Sequence, residues 1–169
     1  MENKISAELL KRFSKIKLLL LDFDGVLTDN KVYTSQDGTE SVRCDRSDGL
    51  GLEMLRKKTD VEIVIVSKEK NPVVSARAKK LNIPVTQGID EKIKEYENEV
   101  KKRGLKDEQV CFVGNDLNDI ECINKAGIGV AVADAYEPAK KVADYITLKN
   151  GGKGAVREIC DLIIESKNM

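Results

Sequence analysis

Two carboxylates one residue apart, Asp22 and Asp24, follow directly after the leucine run 18–21. The leucine run predicts a buried β-strand. Side chains alternate along a strand, so Asp22 and Asp24 point to the same side if extended geometry holds as far as residue 24. Two like charges at one strand end repel each other, and a divalent cation between them would relieve that repulsion. We therefore predict a metal site at the end of this strand.

Further polar residues that suit a phosphate ester follow the later strands. In α/β proteins, ligands bind outside the carboxyl ends of parallel strands. Ser67 comes directly after the β-branched run 61–66, and Lys92 opens a predicted helix. An acidic loop follows the apolar run 109–113, and its candidate residues are Asn115, Asp116 and Asp119. A small hydroxyl, a lysine and several oxygen ligands are the composition of a phosphate site with a hard cation.

Phosphate chemistry at this site requires positive charge beside the carboxylates. A phosphate monoester carries about −1.5 to −2 charge near neutral pH. At about 4 Å and an effective dielectric near 20, each pair of unit charges interacts by about 4 kcal/mol. Mg²⁺ and Lys92 would have to offset that repulsion before a carboxylate could attack. With them in place, Asp22 is the candidate nucleophile, forming an aspartyl-phosphate, and Asp24 is the candidate general acid and base.

The elements that position these residues alternate between apolar runs and helix-period segments. This alternation predicts an α/β fold, a Rossmann-like three-layer sandwich with a mostly parallel sheet. The strands are predicted at 18–22, 61–66, 109–113, 127–131 and 145–148, and the helices at 47–58, 72–81, 91–103, 118–125 and 155–166. An amphipathic helix is predicted at the N-terminus from the spacing of Ile5, Leu9, Phe13 and Ile16.

One segment interrupts the alternation. The runs 31–34 and 40–43 flank a turn containing Asp37 and Gly38, which predicts a β-hairpin protruding after the first strand. A lone hairpin is only marginally stable in water. The hairpin therefore either extends into solvent without a role, or it serves as a flap or as a contact between subunits.

The composition argues against several functional classes. The chain of 169 residues has 29 Lys+Arg and 29 Asp+Glu, so it lacks the basic excess typical of nucleic-acid and membrane-surface binding. We expect no signal peptide and no transmembrane helix. The absence of histidine excludes His-based triads and His metal ligands. Four scattered cysteines predict reduced thiols in or near the core of a cytoplasmic protein.

The segment 22–29, Asp-Phe-Asp-Gly-Val-Leu-Thr-Asp, resembles the first motif of the haloacid dehalogenase superfamily of phosphatases. Ser67 falls at the second-motif Ser/Thr, Lys92 at the third-motif lysine, and 114–119 at the acidic fourth motif. The resemblance implies an Mg²⁺ cofactor and a phosphate group bound by Ser67 and Lys92. It also implies a metal site built from the Asp22 side chain, the Asp24 carbonyl and the fourth motif, with the candidates Asn115 and Asp116 and with Asp119 behind them.

The resemblance covers nearly the whole chain and narrows to the 3-deoxy-D-manno-octulosonate 8-phosphate phosphatase type. This subfamily includes phosphatases of nine-carbon ulosonate 9-phosphates. The segments that carry the likeness are the hairpin, 46–49, 87–88 and 151–158, together with the absence of a cap insertion. The resemblance implies a single capless domain over residues 1–169, a phosphorylated sugar acid as substrate, and a homotetramer that associates through the 31–43 hairpin. A neighbouring subunit would then help to close the active site.

The fourth motif departs from the family pattern. It usually opens Gly-Asp-Asp, and here Asn115 stands in place of the first acid. An amide oxygen can bind Mg²⁺ but brings no charge, so we expect a lower metal affinity unless Asp116 or Asp119 compensates. Asn115 is also compatible with an alternative function, a non-catalytic tetramerisation module related to the C-terminal domains of CMP-sialic acid synthetases.

The second motif departs as well. Octulosonate phosphatases usually carry Gly-Arg after it, whereas Glu69 here resembles the nine-carbon branch and could accept hydrogen bonds from sugar hydroxyls or pair with an amine. Arg77 and Lys80 match positions for the sugar-acid carboxylate, in this subunit or a neighbour. Alternatively, both belong to a solvated basic helix face. A further alternative is a phosphoacceptor receiver domain, which would accept phosphate on an Asp at the end of a core strand. This alternative is disfavoured, because no isolated Asp ends the run 61–66.

Overall fold

The computed structural model describes residues 5–169 and contains two sheets. The larger sheet consists of the strands β1 (Leu18–Leu21), β4 (Glu62–Ser67), β5 (Val85–Gln87), β6 (Val110–Gly114), β7 (Ile128–Ala131) and β8 (Tyr145–Ile146). Its order is β5-β4-β1-β6-β7-β8, and every adjacent pair is parallel. The smaller sheet pairs β2 (Thr28–Thr34) with β3 (Glu40–Cys44) in an antiparallel hairpin.

Helices flank the parallel sheet, so the predicted α/β fold is confirmed. They are α1 (Ala7–Phe13), α2 (Arg46–Lys58), α3 (Val73–Leu81), α4 (Lys92–Lys102), α5 (Ile120–Lys125), α6 (Glu137–Val142) and α7 (Ala155–Lys167). α7 packs on α1 and α2, while α5 packs on α4 and α6. The predicted N-terminal helix is present as α1, where the Ser6 hydroxyl accepts a hydrogen bond from the Leu9 amide at 3.1 Å.

The position of β1 in the middle of the sheet creates the site. All four leucines of β1 are buried, as expected for a parallel strand covered on both faces. Leu21 is in register with Ile65 of β4 on one side and Val113 of β6 on the other. The carboxyl ends of these three strands therefore adjoin, and the residues that follow them share one edge of the sheet.

Among the strands and α-helices, two short elements were not predicted from the sequence. β5 has three half-buried residues next to β4, and α6 has six residues. The first strand also ends at Leu21, one residue earlier than predicted. The predicted hairpin is confirmed, and it exposes the side chains of Val32 and Tyr33 by 55% and 65%.

The cysteines match the prediction of unpaired thiols in or near the core. Cys111, Cys122 and Cys160 are buried and Cys44 is partly exposed, and all four are free. Within residues 5–169, no helix combines the length and the apolar character needed to cross a membrane.

Candidate active site

Asp22 follows the central strand β1, and one of its carboxylate oxygens accepts two hydrogen bonds. Its main-chain amide donates to the Val113 carbonyl at 3.0 Å, which fixes the strand end against β6. Oδ1 accepts hydrogen bonds from the Phe23 amide and from Nζ of Lys92, each at 2.7 Å. Burial and the neighbouring Asp119 charge raise the pKa of Asp22 to about 7, against the opposing effect of Lys92. A cation on the second oxygen, Oδ2, would favour the ionised form.

Lys92 connects two buried carboxylates. Its Nζ lies 2.7 Å from Oδ1 of Asp22 and 2.7 Å from Oδ1 of Asp119, and its side chain is 1% exposed. Burial disfavours the charged ammonium, but the two carboxylates outweigh that effect and raise the pKa of Lys92 to about 12. Lys92 therefore stays protonated and holds the Asp22 carboxylate in place.

Asp24 reaches the site through a turn. The strand ends at Leu21, so the chain is not part of the strand as far as residue 24. Strand geometry therefore does not place Asp22 and Asp24 on the same side, as the sequence analysis had assumed. The chain instead turns at Gly25, which has φ +81° and whose amide donates to the Thr28 hydroxyl at 3.1 Å. Asp24 still lines the same cleft as Asp22. Burial, followed by the charge of Glu69, raises the pKa of Asp24, which favours a carboxyl that can hold a proton for donation.

Asn115 lies beside Asp22 and Asp24. One end of its side-chain amide is 3.1 Å from Oδ2 of Asp22 and 3.1 Å from the carbonyl oxygen of Asp24. With the amide nitrogen at that end, Asn115 donates a hydrogen bond to both oxygens. With the amide oxygen there instead, the three oxygen atoms would suit a hard cation such as Mg²⁺, which prefers oxygen ligands. The Asn115 amide can therefore serve the site with or without a bound cation.

Two of these three oxygens do not come from acidic side chains. They belong to an amide and to the main chain. Accordingly, residues 5–169 contain no group of three or more His, Cys, Asp or Glu side chains arranged to hold a metal. The sequence signal for this metal site is the spacing of the motifs rather than a cluster of acids.

Asp119 shapes the loop that carries Asn115. Its Oδ2 accepts hydrogen bonds from the amides of Asn115 at 2.8 Å and Asp116 at 3.2 Å, while its Oδ1 binds Lys92. Gly114 permits this close approach, because a Cβ at that position would collide with the Asp119 side chain. Asp116 uses Oδ1 to accept from the Leu117 amide at 2.6 Å, and it lies at the wall of the cleft. Asp119 thus supports both the lysine and the loop.

Ser67 and Glu69 form the opposite wall. Ser67 ends β4 with 1% of its surface exposed, and its hydroxyl accepts from the Glu69 amide at 3.2 Å. Oε1 of Glu69 accepts from the amides of Lys70 and Asn71 at 2.7 and 2.8 Å. Part of the Glu69 carboxylate therefore stabilises the turn that leads into α3, and the residue also lines the cleft.

The cleft brings most of the predicted residues together. It has a volume of about 410 Å³ and is lined by Asp22, Asp24, Asn30, Ser67, Lys68, Glu69, Lys70, Asn115, Asp116 and Asn118. Asn30 was missed by sequence reasoning. The available signal was its position at the base of the hairpin, close behind the first motif, and in the structure its φ is +63°.

Arg77 and Lys80 do not reach this cleft within one chain. They line a separate groove of about 1040 Å³ between α2 and α3. Nη2 of Arg77 donates to the Asp45 carbonyl at 3.3 Å, whereas its Nε is buried without a hydrogen-bond partner in residues 5–169. The predicted contact of these two residues with substrate therefore requires a neighbouring subunit.

A parallel α/β sheet with a buried Asp–Lys pair and converging oxygen ligands at its carboxyl edge defines the class: a hydrolase suited to metal-assisted phosphoryl transfer. Residues 65–159 match the family model of haloacid dehalogenase-like hydrolases. The chain belongs to this family.

Individual members of this family resemble the chain over nearly its whole length. The 3-deoxy-D-manno-octulosonate 8-phosphate phosphatase of Escherichia coli K12 is 37% identical over 161 residues, which cover 95% of this chain and 85% of the relative. The crystal structure of the Moraxella catarrhalis enzyme of that name, in complex with magnesium ion, phosphate ion and a KDO molecule, has a TM-score of 0.93 at 35% identity and covers 97% of this chain and 94% of its own. The cobalt-bound Haemophilus influenzae phosphatase has a TM-score of 0.88 at 31% identity, covering 93% and 92%.

Proposed function

We propose that this chain is an Mg²⁺-dependent phosphatase of phosphorylated ulosonic acids. The observation that carries the proposal is the Asp22 carboxylate, which is held by Lys92 on one oxygen, while its other oxygen and the Asp24 carbonyl both lie 3.1 Å from the Asn115 amide. The curated relatives support 3-deoxy-D-manno-octulosonate 8-phosphate as the first candidate substrate. A nonulosonate 9-phosphate is the second candidate, since Glu69 resembles that branch.

The reaction would proceed through two displacements at phosphorus. Asp22 attacks the phosphorus atom, so that a bond to its carboxylate forms while the bond to the sugar oxygen breaks. Asp24 donates its proton to the leaving sugar alkoxide. A water molecule then attacks the aspartyl-phosphate, Asp24 takes the water proton, and the Asp22 carboxylate is released together with inorganic phosphate.

The remaining residues prepare the site for these steps. Asp22, the Asp24 carbonyl and Asn115 would hold Mg²⁺, and Asp116, which lines the same cleft, is a further candidate ligand. The bound metal would supply charge neutralisation for the phosphate oxygens. The Ser67 hydroxyl would bind a phosphate oxygen, while Lys92 and Asp119 keep the nucleophile in position. A single capless domain suffices for this arrangement.

We further propose that the hairpin 31–43 mediates assembly into a homotetramer. Val32 and Tyr33 are exposed on a strand that, within residues 5–169, pairs only with β3, and burial of such side chains favours association. Tetramerisation would bring Arg77 and Lys80 of one subunit to the cleft of another. Replacing Val32 and Tyr33 with glutamate should yield monomers by light scattering, whereas a tetramer of the double variant would contradict this role.

Phosphate release from a panel of ulosonate phosphates tests the function. We expect Mg²⁺-dependent turnover of at least one octulosonate or nonulosonate phosphate, and its loss with a chelator. Asp22→Asn should abolish turnover, while Asp37→Asn in the exposed hairpin turn should not. Activity that survives Asp22→Asn would overturn the aspartyl-phosphate mechanism. No turnover of any panel member would overturn the function and favour the non-catalytic module.

A further inference from the structure

The turn 67–71 leads from the end of β4 into α3, and its amide groups bind within the turn itself. The Glu69 amide donates to the Ser67 hydroxyl at 3.2 Å. The amides of Lys70 and Asn71 donate to the Glu69 carboxylate at 2.7 and 2.8 Å. A hydroxyl that accepts in this way keeps its own hydrogen for donation, so Ser67 can donate to a phosphate oxygen in the cleft.

The carbonyl groups of the turn face the end of the edge strand β5. The Gly88 amide donates to the Glu69 carbonyl at 3.1 Å. Nε2 of Gln87 donates to the same Glu69 carbonyl at 3.3 Å and to the Asn71 carbonyl at 3.2 Å, which also accepts from the first turn of α3. A primary amide nitrogen carries two hydrogens, so a single Gln87 side chain can bind both carbonyls at once. Gln87 therefore joins the turn to β5.

The oxygen of the Gln87 amide is buried without a partner. Within residues 5–169, Oε1 accepts no hydrogen bond, and a buried acceptor in that state carries an energetic cost. Rotating the amide would not remove this cost, because the oxygen would then face the carbonyls of Glu69 and Asn71. A methionine of similar length would avoid the cost altogether. The advantage of a glutamine at this position therefore lies in what its nitrogen donates to the turn.

The position of the turn matters because the turn begins at Ser67. Ser67 is in register with Gln87 across β4 and β5, and it lines the cleft together with Asp22. In the proposed reaction, the Ser67 hydroxyl binds a phosphate oxygen while Asp22 attacks the phosphorus atom. Displacement of a binding group by about 1 Å can cost about 10²-fold in rate. Hydrogen bonds that fix the far side of the turn would therefore influence the reaction from outside the cleft.

We propose that Gln87 is a positioning residue for the phosphate group of the substrate. It holds the turn 67–71 so that the Ser67 hydroxyl meets a phosphate oxygen beside Asp22. This inference rests on the proposed function. Gln87 does not line the cleft, so it acts through Ser67 rather than by touching the substrate. The proposed metal ligands follow β1 and β6, so the role of Gln87 is separate from metal binding.

Binding of inorganic phosphate in the presence of Mg²⁺ tests this role without turnover. Calorimetric titrations would compare wild type with Gln87→Met and with the control Thr86→Val. Thr86 is the neighbour of Gln87 on β5, but its hydroxyl donates to the Glu95 carboxylate at 3.0 Å instead of to the turn. We expect Gln87→Met to weaken phosphate binding roughly fivefold, as loss of hydrogen bonds between neutral groups would, and Thr86→Val to match wild type. Gln87→Asn, whose amide reaches one methylene less far, is the second variant and should show a similar loss.

A double-mutant cycle with Ser67→Ala separates positioning from a general loss of structure. Because Gln87 acts through Ser67, Gln87→Met should weaken phosphate binding by less than about twofold when Ser67 is already alanine. The rise in melting temperature on adding Mg²⁺ should be the same in Gln87→Met and wild type, since the metal ligands are untouched.

Wild-type phosphate affinity in Gln87→Met or Gln87→Asn would overturn the inference, and so would an equal loss in Thr86→Val. Fully additive effects of Gln87→Met and Ser67→Ala would overturn it as well, as would a wild type that binds no phosphate. Turnover of ulosonate phosphates by the wild type decides the proposed function separately, because phosphate binding is measured without a sugar substrate.

Discussion

Nζ of Lys92 lies 2.7 Å from Oδ1 of Asp22, and both side chains are almost completely buried. The Lys92 ammonium favours the charged form of the Asp22 carboxylate and so opposes the effect of burial, since an unpaired buried charge would be strongly disfavoured. The pairing occupies only one oxygen of Asp22. The other oxygen is left for the metal and the phosphate.

Removal of this lysine should therefore affect both stability and activity. Lys92→Met leaves the carboxylates of Asp22 and Asp119 buried without their partner, and such losses cost about 3–5 kcal/mol. We expect a large fall in the free energy of unfolding, measured by urea titration, together with loss of phosphatase activity. Lys94→Met on the same helix removes only an exposed pair with Glu91 and serves as the control. Equal stability of the two variants would contradict the role of Lys92.

Asn115→Asp should lower the stability of the metal-free protein and increase its stabilisation by Mg²⁺. In the absence of metal, the amide can turn and donate to Asp22 and to the Asp24 carbonyl, whereas an aspartate would repel both. With metal, the added charge should strengthen Mg²⁺ binding. We expect a lower melting temperature in chelator and a larger rise on adding Mg²⁺ than in wild type. Asn118→Asp on the same cleft wall should behave like wild type, and a matching Mg²⁺ response in the two variants would argue against Asn115 as a ligand.

Asp24→Asn should divide the two functions of residue 24. Loss of the acid and base is expected to reduce kcat by about 10²–10⁴. The main-chain carbonyl is unchanged by the substitution, so Mg²⁺ should still stabilise the variant against heat. Scanning calorimetry with and without Mg²⁺, alongside the activity assay, checks both parts. Loss of the Mg²⁺ response would show that the side chain, rather than the carbonyl, binds the metal.

We expect the buried carboxyl of Asp48, which lies outside the active site, to make the stability of the protein depend on pH. It is buried, Oδ1 accepts from the Arg157 amide at 2.9 Å at the start of α7, and Oδ2 has no hydrogen-bond partner in residues 5–169. Burial raises its pKa to about 6, so the folded state binds a proton that the unfolded chain has released. Between about pH 4 and 6, wild type should lose stability relative to Asp48→Asn as pH rises, by at most ~1.4 kcal/mol per pH unit. Urea titrations across that range measure the difference, and parallel curves would exclude Asp48 as the cause.

The sequence by itself determined the main strands and the residues at their ends. Buried parallel strands appear as continuous apolar runs, so β1, β4 and β6 were identifiable without a structure. The order of the motifs then placed Asp22, Asp24, Ser67, Lys92 and the loop 114–119 at the carboxyl edge. Elements as short as β5 and α6 have too few residues for a periodic pattern, and neighbouring elements decide their conformation.

Only the tertiary structure decided which residues meet in space. The sheet order puts β1 between β4 and β6, and this fixes Ser67 and Asn115 on opposite walls of one cleft. It also separates Arg77 and Lys80 from that cleft and brings Lys153, which is distant in sequence, next to Asn30. The physical reason is that motif spacing constrains neighbours along the chain, whereas contacts between loops depend on strand order and on close packing such as that of Gly151 against Gly25.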